Sequence, residues 1–391
     1  MYSSFFCRYS YFKSLIFILF STLSFTVEAQ INAPKYVNEY LAIGVGARGL
    51  AMGNAQTETV NDATAGYWNP AGLLNLEDRF SLSLMHAEYF AGIAKYDFAG
   101  FATKIDNHSA LGISMIRFGV DDIPDTRYLF DPDGSINWDN VQSFSSADYA
   151  FLFSYARQFP KLPNLQFGAN AKVIYRHAGQ FANAWGFGLD MGLQWKKGAW
   201  QVGVTAKDIT GTYNVWAYNP ATFYDIFKQT GNTIPENSIE VAAPRLIVGG
   251  ARNFSIWKAS QQEDAEELIG ALVSFGADVT FDGKRNTVLK TDLLSIDPRM
   301  GVEFHYKKMI FLRGGVSQFQ YIKEFSGNEK LEFLPSFGAG FAFKGFVLDY
   351  ALTNIGDIST VSLYSHIFSL KVDFGRTLKR ASNAPKTEKY Y

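Results

Sequence analysis

The chain has 391 residues, with 36 Lys and Arg against 37 Asp and Glu, a formal net charge of −1; this balance supplies no basic surface for nucleic acid or another polyanion. Its single cysteine excludes a disulfide framework and a cysteine metal cluster. Aromatic residues make up 16% of the chain and glycines number 34, yet beyond the first 29 residues no apolar run could cross a bilayer as a helix. In an exported chain this composition points to an all-β fold, a transmembrane antiparallel β-barrel.

Residues 1–29 supply the export signal. Arg8 and Lys13 form a positive n-region, Ser14 to Val27 an apolar core, and Ala29 a small residue at the cleavage point. About 14 apolar residues fall short of the roughly 20 of a helical span, so removal after Ala29 is expected. Cys7 lies in the n-region, which leaves the mature chain without a thiol nucleophile. No Pro/Ser-rich linker divides the remainder. It reads as a hatch or plug over 30–79, a barrel over 80–375 and a basic periplasmic tail over 376–391.

The segment GVGARG places Gly44, Gly46 and Gly49 at the G-x-G-x-x-G spacing of dinucleotide sites. Such a site needs a preceding buried strand, a following βαβ unit and a downstream acid. The exported context and the antiparallel-type strands that follow provide none of these. The glycines, with Ala51, Gly53 and Ala55, instead suit close packing inside a narrow lumen. Arg48 between them is expected to reach a lumen carboxylate such as Asp190 or Glu303. Asn69-Pro70-Ala71 ends the segment, with Asn69 as cap and Pro70 at the first position of a short helix.

From Phe80 onward the pattern alternates with period two in segments of about ten residues. In WGFGLDMGLQWK, Trp185, Phe187, Leu189, Met191, Leu193 and Trp195 share one face, opposite Gly186, Gly188, Asp190, Gly192, Gln194 and Lys196. Aromatics gather at the ends of the apolar face, as interfacial girdles do. About fourteen segments recur, centred on 80–90, 95–105, 109–119, 147–158, 164–176, 184–195, 199–208, 244–254, 268–281, 299–307, 309–318, 334–344, 345–354 and 365–375; an even number suits a closed barrel. With the first strand running outward, the periplasmic turns are short except at 255–267, which holds QQEDAEE. The external connections 120–146, 209–243, 282–298 and 319–333 are the longest. Both termini are then expected on the periplasmic side.

Candidate chemistry is sparse. His86, His108, His177, His305 and His366 are dispersed without metal-site spacing. No nucleophile elbow locates a catalytic triad, so neither an enzyme nor a cofactor site is expected. DPDGSINWD offers Asp131, Asp133, Asn137 and Asp139 as oxygen donors, but Gly134 falls too early for a calcium loop, and an Asp-Gly turn is the simpler reading. Asp190, Asp278, Glu303 and Asp373 fall on polar strand faces and are expected to pair with Lys172, Lys196, Lys307 or Lys371 inside the lumen. In the connection 209–243, NPATFYDIFKQTGN reads as a helix capped by Asn219. Phe223, Ile226 and Phe227, with Tyr213, Trp216 and Tyr218, would make an external aromatic surface, which either meets a partner or ligand or folds over the barrel mouth.

Residues 44–74, GVGARGLAMGNAQTETVNDATAGYWNPAGL, resemble the opening of PorV/PorQ-type outer-membrane proteins, which share the FadL-like barrel fold. The resemblance extends to the strand count and the final HIFSLKVDFG. It implies a fourteen-stranded barrel with an N-terminal hatch in the lumen, integral to the outer membrane of a Bacteroidota-type bacterium. It also implies a non-catalytic part in type IX secretion: binding the translocon and the C-terminal signal domains of cargo, and passing cargo to attachment-complex proteins. A FadL-like channel for hydrophobic small molecules is the competing expectation.

Overall fold

The computed structural model describes residues 36–233, 236–260, 266–323, 327–354 and 365–375. The signal segment 1–29 and the tail 376–391 lie outside the described residues. Seventeen strands form one sheet: β1 (Phe80–Tyr89), β2 (Ala94–Lys104), β3 (Ser109–Asp125), β4 (Gln142–Gln158), β5 (Leu165–Ala178), β6 (Ala182–Lys197), β7 (Trp200–Lys207), β8 (Thr212–Tyr218), β9 (Ser238–Ala242), β10 (Arg245–Lys258), β11 (Glu267–Thr280), β12 (Leu289–Lys290), β13 (Ser295–Tyr306), β14 (Ile310–Lys323), β15 (Glu329–Phe343), β16 (Phe346–Thr353) and β17 (Ser365–Phe374). The strands pair antiparallel throughout the described residues, and β17 closes on β1 from Phe80↔Phe374 to Ala87↔Ile367. Because β7 pairs directly with β10 and β11 with β13, strands β8, β9 and β12 stand outside the closed ring. Fourteen strands make that ring, and each coincides with one of the alternating segments.

Two connections are shorter than the sequence pattern predicts. β3 and β4 continue as a ladder to Asp125↔Gln142, past a register shift between Val120 and Ile123 where Asp122 takes φ 56°. β14 and β15 continue likewise to Lys323↔Glu329, past a shift beside Gln318 at φ 52°. A bulge adds one residue and inverts the alternation, which disguises the strand beyond it. The connection 209–243 also holds more order than a loop. Its β8 pairs with the upper part of β6, while β7 takes the lower part. Of the long turn around QQEDAEE, residues 261–265 lie outside the described residues.

The barrel is inverted relative to a water-soluble domain. On β6, Trp185, Phe187 and Met191 are exposed on the outward face, whereas Asp190 and Gln194 are buried. Inside runs the hatch: a 3₁₀ turn (Glu39–Ala42), α1 (Ala47–Ala51), α2 (Ala65–Trp68) and a second 3₁₀ stretch (Pro70–Asn75). It meets wall strands around the whole ring. Tyr40 Oη donates to Tyr149 O in β4 (3.2 Å), Asn170 Nδ2 in β5 to Gly66 O (2.7 Å), Thr205 Oγ1 in β7 to Trp68 O (3.1 Å) and Ser274 Oγ in β11 to Ala55 O (3.0 Å). Gly53 N donates to Ser336 Oγ in β15 (3.1 Å) and Ala47 N to Ser369 Oγ in β17 (3.1 Å). The wall opposite the hatch backbone is glycine where the approach is tightest: a Cβ on Gly168 would collide with Ala71 N, and one on Gly315 with Gly53 N.

The two rims differ. Short turns join β2–β3, β4–β5, β6–β7, β13–β14 and β15–β16 at one rim, which also holds the β10–β11 connection, and the other long connections gather at the opposite rim. Tyr36 lies beneath Arg285 of the β11–β13 connection, at the long-loop rim. Phe374 pairs with Phe80 at the short-turn rim. The termini themselves, expected on one side, lie outside the described residues, of which the first and the last stand at opposite rims. The hatch threads the lumen from one rim to the other before β1 begins.

Candidate functional site

The hatch and the lumen wall it touches form the site, and GVGARG opens its first helix. Gly44 and Gly46 have φ values of 110° and 78°, and a Cβ on Gly49 would lie 2.7 Å from the Trp68 ring. The amides a phosphate would need are already used, since Gly46 N donates to Met85 Sδ (3.0 Å) and Ala47 N to Ser369 Oγ. The spacing thus serves packing.

Arg48 projects from α1 onto Glu303, with Nε to Oε2 at 2.9 Å and Nη2 to Oε1 at 3.1 Å. Of the two carboxylates named from sequence, Glu303 is the partner, and Asp190 is engaged by Lys172 at 2.8 Å. Glu303 also accepts from Arg313 Nε (2.6 Å), and Arg313 reaches Asp349 (2.7 Å). The hatch is thereby tied to β13, β14 and β16 through one buried network. Asp373 pairs with Lys371 (2.9 Å), but Asp278 pairs with Arg245 (3.4 Å) and Arg299 (3.2 Å) rather than a lysine.

Asn69 is fully buried. Its Oδ1 accepts from Ala71 N (3.1 Å), which caps the 3₁₀ stretch begun by Pro70, and its Nδ2 donates to Thr57 O (3.0 Å) and Leu193 O (2.9 Å). One side chain therefore joins a hatch turn, a second hatch segment and the wall. Ala71 faces Gly168, where no larger side chain fits. Glu58, 2% exposed, bonds Ser274 Oγ through Oε1, while Oε2 has no hydrogen-bond partner among the described residues. Burial raises its pKa above the ordinary carboxylate value, against the opposing pull of the Ser274 bond.

The aromatic residues of 209–243 do not share one surface. Tyr213 faces outward beside Phe187, whereas Trp216 and Tyr218 lie on the opposite face of β8, with Arg176 5.0 Å above the Trp216 ring. Helix α3 (Pro220–Thr230) ends at Gly231 as expected. Asn219 does not cap it, because its Nδ2 donates to Gln180 O (3.2 Å). Phe223 stacks between Phe181 and Phe227, at 5.6 and 5.2 Å. Arg127 Nη1 donates to Thr222 O (2.7 Å), which holds α3 to the β3–β4 connection. The Ile226 side chain lies outside the described residues.

Elsewhere, His86 contacts Asp97, His177 contacts Asn183 and His366 contacts Tyr350 at separate places on the barrel. Asp131 accepts from both Asn137 and Asn140 amides, Asp133 from the Ser135 hydroxyl and Asn137 Oδ1 from the Asp139 amide, so three of the four DPDGSINWD candidates are engaged within the loop.

The lumen is divided by character. Toward β1–β5, hatch residues Tyr40 and Leu41 belong to one apolar cluster with Tyr89, Tyr96, Ile116, Leu152 and Ile174, and Ile43, Phe118 and Val120 pack against it. Sequence reasoning passed over Tyr40 and Leu41; their signal was an aromatic and an aliphatic residue at the start of an otherwise small-residue segment. Below the hatch, a polar vestibule of about 580 Å³ opens among Arg48, Asp62, Glu303, Arg313, Asp349 and Lys371. On the outer wall of β2–β4, Phe101, Leu111, Ile113, Phe153 and Tyr155 line an apolar recess of about 410 Å³.

No family model matches the chain, and no curated protein matches it. Solved structures do. The toluene transporter TodX of Pseudomonas putida aligns with a TM-score of 0.50 at 13% identity, over 85% of this chain and 99% of that one. The toluene transporter TbuX of Ralstonia pickettii gives 0.47 at 14% identity, over 85% and 99%, and a FadL homologue of Pseudomonas aeruginosa gives 0.44 at 12%, over 85% and 98%. The TodX alignment agrees with the fold, a closed antiparallel barrel.

Proposed function

We propose that the protein is an integral outer-membrane barrel, without catalytic activity, that admits small hydrophobic molecules past its hatch. The observation that supports this reading is the apolar half of the lumen. There the hatch's own Tyr40 and Leu41 fill a space walled by Tyr89, Tyr96, Phe118 and Leu152, as an apolar guest would. The turn carrying them is held by single polar contacts rather than by a shared charge network: Tyr40 Oη to Tyr149 O (3.2 Å), Tyr96 Oη to Tyr40 O (3.2 Å), Asn214 Nδ2 to Asn38 Oδ1 (2.8 Å), Arg245 Nη2 to Leu41 O (3.3 Å), Tyr67 Oη to Leu41 O (2.7 Å) and Glu39 to Arg285 (3.4 Å). Its withdrawal uncovers an aromatic-lined pocket at the long-loop rim. The outer recess on β2–β4 lies in the same wall, which suits release sideways into lipid. The shared architecture with toluene transporters agrees with this substrate class. The test is transport of toluene or a similar aromatic into vesicles carrying the purified barrel. Saturable uptake, faster in a Tyr40→Ala/Leu41→Ala variant, is the expected result; rates equal to protein-free vesicles reject the channel.

A second reading rests on residues 44–74 and their resemblance to PorV/PorQ-type openings. In it the sealed barrel binds a type IX translocon and cargo C-terminal signal domains, and the long-loop rim around Trp216, Tyr218, Phe223 and Phe227 is the meeting surface. Co-purification of a large translocon subunit, with secreted proteins retained in the periplasm of a deletion strain, is expected under this reading. Normal secretion by that strain rejects it.

A further inference from the structure

On the outward face of the short-turn rim, two cations flank one indole. Lys197 ends β6, Trp200 opens β7 and Arg252 lies in β10; the register sets Lys197 opposite Trp200 and Trp200 opposite Arg252. All three are exposed, and they share the face of Trp195 and Val202 rather than that of the buried Gln194 and Gln201. The Arg252 guanidinium stands 4.9 Å from the centroid of the Trp200 ring and 5.0 Å from that of Phe254. Neither cation makes an ion pair among the described residues. The β4–β5 and β6–β7 turns beside Lys197 carry no acid. On the other side, Glu267 stands opposite Lys258, about 20 Å along β10 from Arg252, and Glu266 lies beyond it beside Ala259.

One row further toward the middle of the barrel, the same face is notched. Gly250 of β10 stands between Val202 of β7 and Phe275 of β11, and a Cβ there would meet nothing nearer than 4.0 Å. Backbones two strands apart are about 10 Å from each other, so the long side chains of Lys197 and Arg252 converge on one phosphate. A guanidinium stacked on rings keeps its N–H edge free to donate to phosphate oxygens, and an interfacial Trp marks the headgroup level. We propose that this row binds the headgroup of one anionic glycerophospholipid, of the phosphatidylglycerol type, with an acyl chain laid in the notch over Gly250. A zwitterionic headgroup brings its own ammonium against two like charges. The inference rests on the reading of the barrel as membrane-embedded and not on what the barrel admits.

The purified barrel in detergent would be titrated with phosphatidylglycerol or with phosphatidylcholine of the same chains, and bound lipids counted by native mass spectrometry. The first phosphatidylglycerol should bind about tenfold more tightly than phosphatidylcholine. Lys197→Gln/Arg252→Gln should erase that preference, and Lys197→Arg should keep it. Lys307→Gln/Lys344→Gln, which removes cations lying over the single rings of Tyr306 and Phe343 at the same rim, should keep it too. Gly250→Leu, which fills the notch, should weaken both lipids alike. Either single variant, Lys197→Gln or Arg252→Gln, should lower the preference about threefold, which decides the matter should the double variant fail to fold. Equal binding of the two lipids to the wild type, a preference unchanged in Lys197→Gln/Arg252→Gln, or tighter first binding of lipid A than of phosphatidylglycerol overturns the proposal. A chain that binds neither lipid and stays dissolved without detergent rejects the membrane reading along with it.

Discussion

On the β1–β5 side of the lumen, Tyr40 and Leu41 meet the wall through apolar surface and two single hydrogen bonds, Tyr40 Oη to Tyr149 O and Tyr96 Oη to Tyr40 O. On the β13–β16 side, Arg48, Glu303, Arg313 and Asp349 form a buried chain of charge. The two kinds of contact fail differently. Apolar surface can be exchanged for another apolar surface at little net cost, because the attraction is non-directional. A buried ion network tolerates no such exchange, since removing one member strands the others in a medium that solvates them poorly. The hatch is thus pinned by a shared charge network at α1 and by separate hydrogen bonds and apolar contact at the turn before it.

That contrast can be broken first at its charged side. Glu303→Gln leaves Arg48 and Arg313 without their shared carboxylate and should destabilise the barrel by about 3–5 kcal/mol, read as a lower denaturant midpoint. A loss below about 1 kcal/mol, the size of an exposed pair, would show that the network does not anchor the hatch. Next in size is Ala71→Leu, which drives a side chain into Gly168. Overpacking of about 1–3 kcal/mol is expected, and Gly168→Ala should fail to rescue it. On the apolar side, Tyr40→Ala should barely move the global melt while raising hydrogen exchange over residues 38–43. A global loss as large as that of Glu303→Gln would erase the distinction between the two sides.

The smallest effect concerns Glu58. Its folded pKa lies above the ordinary value of 4.5. Folding therefore favours the protonated form, and this contribution is present in full below about 4.5 and is lost as pH rises through the folded value. Hatch protection near Glu58 should fall across that interval in the wild type and stay flat in Glu58→Gln. Identical profiles in both proteins would remove Glu58 from the account.

Much of the barrel was legible because each strand lies between two different media. Trp185 to Trp195 on one face and Gly186 to Gln194 on the other record that boundary directly. Bulges at Asp122 and Gln318 hid the outer parts of four strands, since alternation inverts beyond them. In the hatch, Asn69-Pro70 announced its own turn because a cap is a local hydrogen bond. Tyr40 as an internal plug was not legible, because nothing local distinguishes a buried aromatic from an exposed one. Trp216 and Tyr213 looked equivalent until β8 paired with β6 and sent them to opposite faces.

By itself the sequence determined the fourteen strands, which face of each points outward, and the small residues where hatch and wall approach. The tertiary structure alone decided that Arg48 meets Glu303, 255 positions away, that Ala71 rests on Gly168, and that the Lys207 ammonium lies over the Tyr67 ring. The physical reason is ring closure. Alternation fixes only which way each side chain points, whereas its height in the lumen depends on the stagger of every strand around the ring, which is set when β17 pairs with β1.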